Sequence, residues 1–212
     1  MNLEKARRAQ RRLAKRLHLV PLSKPVRLVG GADFAYDFAS ARVGAALVVL
    51  DVSSLQVVDE ATALTRIPCP YIPGFLCFRE GPVFFRALRR LSHFPDVWFI
   101  DGNGIAHPER MGLASYIGVI AGIATIGCAK TAFFPYEMPP TPRGNYTVYY
   151  NRQGEKVGVC LRTRSGGRPV FVSPGNLITS EDSLRLALEL SRFRLPEPLR
   201  LAHQKARRIF HS

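Results

Sequence analysis

Three β-rich runs, Val26–Tyr36, Arg42–Leu50 and Leu55–Thr65, follow one another with only short polar breaks between them. Breaks that short suit hairpins rather than crossover helices, so the three runs read as consecutive strands of an antiparallel meander. The period then changes. A helix is expected from near Pro82, a good first-turn residue, to Leu91, followed by a short buried strand at Val97–Ile100. A helix rich in small residues at Gly112–Ala121 and a second buried strand at Ala124–Ala129 come next. Three strands succeeded by helix, strand, helix, strand imply an α/β chain whose mixed central sheet carries helices packed on it.

The remaining segments fill in this plan. Pro68-Cys69-Pro70-Tyr71-Ile72-Pro73-Gly74 is a Pro-rich loop, and residues 135–145 form a second. Lys156–Arg164 and Pro169–Ser173 read as a hairpin joined through Ser165-Gly166-Gly167. Thr179, with Asp182 three residues on, resembles a capping-box start for a helix to about Arg192. A last helix begins near Pro198 and places Leu199, His203, Ala206 and Phe210 on one face. At the other end, residues 3–17 put Leu3, Ala6, Leu13 and Leu17 on a narrow apolar stripe that Gln10 interrupts, so residues 1–20 are expected to be a basic helix packed on the domain. With no internal repeat and no linker, residues 1–212 are expected to be one domain.

Charge is the first hint of a partner. The formal net charge is +14, and +8 of it sits in residues 1–27, where nine Lys and Arg face only Glu4. Such a balance suits a polyanion, because each phosphate neutralised releases counterions, although many proteins are basic for solubility alone. Cys69, Cys77, Cys128 and Cys160 form no CxxC pair and read as reduced thiols of a cytoplasmic protein. The longest apolar stretches, such as Ile117–Ile126, are too short to span a bilayer, so no membrane association is expected.

In so basic a chain, acids at apolar positions need a reason. Asp33 falls inside the first strand run, where Asp is depleted. Asp101 ends the run Val97–Ile100, and Glu80 precedes Gly81-Pro82 at the expected helix start, where a carboxylate complements the dipole. If these strands are neighbours, the three carboxylates converge at one edge of the sheet. Oxygen ligands without Cys or His spacing suit Mg²⁺, or Mn²⁺ in its place, and point to phosphodiester hydrolysis. Two of the three also have ordinary uses: Asp101 as a turn former before Gly102, Glu80 as a helix-start residue.

Six ordered stretches resemble the endonuclease V (deoxyinosine 3′ endonuclease) family. They are Val29-Gly-Gly-Ala-Asp-Phe, Pro70-Tyr-Ile-Pro-Gly-Phe-Leu-Cys-Phe-Arg-Glu-Gly-Pro, Asp101-Gly-Asn-Gly-Ile-Ala-His-Pro and Thr125-Ile-Gly-Cys-Ala-Lys. Leu161-Arg-Thr-Arg through Phe171-Val-Ser-Pro-Gly and Leu195-Pro-Glu-Pro-Leu-Arg-Leu-Ala-His complete the set. The resemblance implies an RNase H-like fold, its sheet beginning with the meander and covered by helices on both faces. It implies Asp33, Glu80 and Asp101 as metal-binding carboxylates, with His203 approaching from the C-terminal helix and Lys130 facing the scissile phosphate. Pro70, Tyr71, Ile72 and Pro73 would form a wedge entering the duplex at the lesion. Gly102 and Gly104 would line a pocket for the extruded base, and His107 is a further residue for contact with DNA or a metal-bound water.

The activity implied is cleavage of the second phosphodiester bond 3′ to deoxyinosine in DNA, leaving 5′-phosphate and 3′-hydroxyl ends, by a monomer. Inosine-containing RNA is the alternative substrate, and a catalytically silent nucleic-acid-binding member of the fold is the alternative class. Clustered carboxylates beside phosphate serve catalysis but not mere binding, which argues against a silent protein. Asn176 stands where many members have His, Cys69 replaces a common Phe, and residues 131–154 show little family character.

Overall fold

A computed structural model of the chain describes residues 2–210. Strands β1 (Leu28–Asp37), β2 (Arg42–Asp51) and β3 (Val57–Arg66) form the meander expected from the sequence, β2 pairing antiparallel with both neighbours. Strand β4 (Val97–Ile100) then joins β1 in parallel, and β5 (Ala124–Ala129) joins β4 in parallel. Three further antiparallel strands extend that side: β6 (Tyr146–Tyr150), β7 (Lys156–Leu161) and β8 (Val170–Asn176). The spatial order is β3-β2-β1-β4-β5-β8-β7-β6, one mixed sheet of eight strands.

Side-chain alternation along the strands splits the core into two layers. Helices α2 (Leu76–Leu88) and α3 (Leu113–Ala121) cover one face, where Val83, Phe84 and Ile117 pack on Ala32, Leu47, Trp98 and Ile100. Phe84 meets Trp98 edge-on, with ring centroids 5.4 Å apart. Helices α4 (Ser180–Glu189) and α5 (Glu197–Ala206) cover the other, where Leu186, Leu199 and Ala202 pack on Val29, Phe99 and Val172. Helix α5 lies unusually close to β1 because Gly31 has no side chain: a Cβ there would sit 2.0 Å from the Pro198 carbonyl oxygen. Any larger residue would push the helix, and His203 with it, off the strand.

Four elements depart from the sequence reading. Helix α2 starts at Leu76, not near Pro82, so Pro82 sits inside the helix and Glu80 lies in its middle rather than at its start. Burial of Cys77, Val83, Phe84 and Ala87 against the sheet outweighs the backbone hydrogen bond that proline cannot make. The N-terminal helix α1 (Leu3–Ala14) ends short of residue 17, and α5 ends at Ala206, leaving Phe210 in a following turn. Strand β6 had no counterpart in the expected elements. Among the described residues no helix is long and apolar enough to cross a membrane.

Candidate active site

The strand register alone brings two of the acids together. Ala32 pairs with Ile100 across β1 and β4, and the Asp101 N–H donates to the Ala32 carbonyl at 3.0 Å. Asp33 and Asp101 therefore stand side by side just past the last paired rung. Glu80 comes from the opposite side of the sheet on α2, where the Tyr36 hydroxyl donates to its Oε1 at 2.6 Å. Tyr36 lies three residues from Asp33 on the same strand, so it points to the α2 face while Asp33 points towards α5. There the His203 Nδ1 and Asp33 Oδ2 are 2.6 Å apart. Lys130, just beyond β5, donates its ammonium to Asp101 Oδ2 at 2.6 Å.

Electrostatics follows from this crowding. Burial first, and then the neighbouring Asp101, push the Asp33 carboxyl up to about 6, against the hydrogen bond from His203. Burial pushes Glu80 up to about 8; Tyr36 opposes the rise, while Asp101 and Asp33 add to it. For Lys130, burial disfavours the charge, but the adjacent Asp101 outweighs it and raises the ammonium above its ordinary value. Tyr36 is itself raised, by burial and then by Glu80, so it stays a hydrogen-bond donor. Behind it the Arg79 guanidinium lies 4.5 Å from the Tyr36 ring centroid.

These groups open onto a cavity of about 330 Å³, lined among others by Asp33, Tyr71, Glu80, Asp101, Gly102 and Lys130. Tyr71 stands at its mouth, 64% exposed, and Pro70 and Pro73 beside it are also exposed, with Ile72 half-buried. Gly102 adopts φ +152°, a backbone conformation that favours glycine, and lines the cavity. Gly104 does not. A Cβ there would meet the Pro174 carbonyl oxygen at 2.1 Å, and the Gly104 N–H donates to Ser173 Oγ at 2.8 Å. Its role is close packing of the 101–104 turn on β8, so of the two glycines expected at a base pocket only Gly102 faces it.

His107 lines the cavity yet is turned to the protein. Its Nδ1 accepts the Glu109 N–H at 3.1 Å, which leaves Nε2 to donate to the Gly74 carbonyl at 2.9 Å. Burial holds this ring down at about 4, so it is a neutral imidazole. Asn176 lies away from the cavity, donating to the Gly118 carbonyl at 3.0 Å and accepting the His18 N–H at 3.1 Å. A satisfied amide thus holds the segment after α1 against β8.

Among the described residues no three His, Cys, Asp or Glu side chains are already arranged to hold a metal ion. Lys130 and Tyr36 hold oxygens of Asp101 and Glu80 that a cation would otherwise take. The donor set nonetheless fits a hard divalent ion: carboxylates only, Asp33 and Glu80 raised by burial and then by neighbouring carboxylates, a repulsion that such an ion relieves.

A family model described as Endonuclease V matches residues 11–204. The chain belongs to the endonuclease V family. With the family come the RNase H-like fold and the reaction class, an endonuclease that hydrolyses nucleic acid. The endonuclease V of Geotalea uraniireducens is 45% identical over 210 residues, spanning 98% of this chain and 88% of that protein. The crystal structure of the Streptomyces avermitilis endonuclease V superposes with a TM-score of 0.92 at 42% identity, covering 98% of this chain and 92% of that one. The Ciona intestinalis endonuclease V was crystallised with a 24mer DNA containing an inosine followed by a ribo-adenosine. It superposes with a TM-score of 0.86 at 26% identity, covering 99% of this chain and 98% of that one.

Tyr36 is the site residue that sequence reasoning passed over. Strand alternation puts it on the face opposite Asp33, and only the placement of α2 shows that this face carries Glu80.

Proposed function

We propose that this chain is a divalent-metal-dependent endonuclease that recognises deoxyinosine in DNA and hydrolyses the second phosphodiester bond on its 3′ side. The observation that carries the reading is the convergence of Asp33, Glu80 and Asp101 beside Lys130 in a cavity whose mouth is held by Tyr71. Asp33, Glu80 and Asp101 would hold Mg²⁺ or Mn²⁺. The chemistry such an ion supplies is Lewis-acid stabilisation of the attacked phosphate and acidification of water.

The chain's own groups do the rest. His203 orients the Asp33 carboxylate, and Tyr36 orients that of Glu80, so the acids present fixed oxygens rather than mobile ones. Lys130 keeps a positive charge next to Asp101, where a backbone phosphate gains from it. Tyr71, stiffened between prolines, fills the stack at the lesion, and the base it replaces enters the cavity beside Gly102. Hypoxanthine lacks the 2-amino group of guanine, so a close-walled cavity can accept one and exclude the other. We assign the described residues to one endonuclease unit acting as a monomer, with the basic helix α1 as part of it.

The Ciona intestinalis relative, crystallised with DNA containing an inosine followed by a ribo-adenosine, supports an inosine-bearing strand as substrate. The experiment is nicking of end-labelled DNA and RNA, each with and without inosine, in Mg²⁺ and in chelator. Cleavage of inosine-containing DNA that chelator abolishes is the expected result. Preference for the RNA strand would move the substrate to RNA, and cleavage in chelator would remove the metal from the account.

A further inference from the structure

Gln10 is the one polar residue on the buried face of α1, and it is wholly buried. Its carboxamide nitrogen donates to the Gly74 carbonyl at 2.8 Å and lies 3.4 Å from the Met111 carbonyl, while its carboxamide oxygen has no hydrogen-bond partner among the described residues. A buried amide with one end unsatisfied costs stability, and an apolar side chain would complete the stripe without that cost. The donor end is what the site uses.

Gly74 closes the Pro70–Pro73 loop in a left-handed conformation, φ +83°. Prolines stiffen the loop up to Pro73, so Gly74 is where it retains freedom to swing. The same Gly74 carbonyl takes a second hydrogen bond, from His107 Nε2 at 2.9 Å. Arg11 of α1 also binds Glu109, two residues beyond His107, at 2.8 Å. Tyr71 is 64% exposed, so its direction must be set through the backbone rather than by packing.

We infer that α1 is a latch: Gln10, together with His107, fixes the Gly74 carbonyl and so sets the pose of Tyr71. Both act as positioning residues, through the Gly74 carbonyl. The part played by Tyr71 rests on the function proposed above, so the test has one arm that needs no substrate. In a Tyr71→Trp protein the added indole reports loop motion, since the native Trp98 is buried in the core. Gln10→Met keeps the length of the side chain and removes the donor, and it lowers the steady-state anisotropy of that reporter. His107→Phe, which keeps a ring against Phe133 and removes the other donor, acts in the same direction and covers the case of a Gln10 variant that does not fold.

In the second arm, Gln10→Met reduces the ratio of inosine to undamaged-DNA cleavage about fivefold, the factor a buried hydrogen bond typically carries. In a Tyr71→Ala background the same change has no further effect, because both act through one ring. Unchanged anisotropy in both donor variants overturns the latch, as does an equal loss of discrimination with and without Tyr71. If the unmodified chain shows no preference for inosine, the substrate reading fails by itself and the anisotropy arm still decides the latch.

Discussion

At the scale of single residues the site depends on carboxylates that are difficult to ionise together. Asp33 at about 6 and Glu80 at about 8 both lie above ordinary carboxylate values. The folded protein therefore binds more protons than the unfolded chain, and its stability falls as pH rises from about 4 to 8. A divalent ion needs the deprotonated oxygens, so its stabilising effect grows over the same range. Thermal melts across that range should show a Mg²⁺-induced rise in Tm that increases with pH; a rise that is flat or absent contradicts the assignment. Asp33→Asn and Asp101→Ala should lower cleavage by about two orders of magnitude or more while the circular dichroism stays native. Near-full Mg²⁺-dependent nicking by Asp101→Ala contradicts its role. Tyr36→Phe removes the hydrogen bond that holds Glu80 down, so the acidic limb of the pH–rate profile should move to higher pH, and an unmoved limb places Tyr36 outside the chemistry. The sequence exposed Asp33 because aspartate is rare inside strands. It left Tyr36 unremarked because an aromatic residue in a strand is ordinary, and only the packing of α2 gives it a partner.

At the scale of elements, the proposed function assigns contacts with a nucleic acid to α1 and the Pro70–Pro73 loop. Arg7 and Arg11 are paired with Glu109, whereas Arg12 and Arg16 are exposed. If α1 and the turn after it track the phosphate backbone, Arg12→Gln with Arg16→Gln should reduce the salt dependence of binding by roughly two counterions; an unchanged slope makes the helix a brace only. Tyr71→Ala should cost about 1–3 kcal/mol of preference for inosine over undamaged duplex, the worth of one stacked ring. Equal affinity losses on both duplexes would instead show a phosphate or packing contact. The meander, β4, α3 and β5 were legible because their apolar periods are clean and their ends carry turn residues. Helix α2 was misread at its start because Pro82 suits a first turn, and tertiary burial of Phe84 and Ala87 overrode that local signal. Strand β6 was missed, although Tyr146-Thr-Val-Tyr-Tyr followed by Gln153-Gly154 has the composition of a strand and a hairpin turn.

At the scale of the whole molecule, the proposed function asks one cavity, lined by Gly102 and by Asp33, Glu80 and Asp101, both to read and to cut. A base and a backbone phosphate cannot occupy the same point of it. Under that function a base that has left the stack would enter beside Gly102 while the scissile phosphate would lie at the carboxylates, so the cut is expected away from the lesion. The sequence motifs indicated which residues gather there; the depth of the cavity, and the withdrawal of Gly104 from it, depend on how β8 packs on the 101–104 turn and are not written in any local pattern. Sequencing-gel mapping of the nick on one duplex with a single deoxyinosine, in Mg²⁺, tests this arrangement most directly. The account predicts one cut at the second phosphodiester 3′ to the inosine, with 5′-phosphate and 3′-hydroxyl ends and the base still attached. Release of free hypoxanthine, or cuts spread evenly along undamaged DNA, would contradict it.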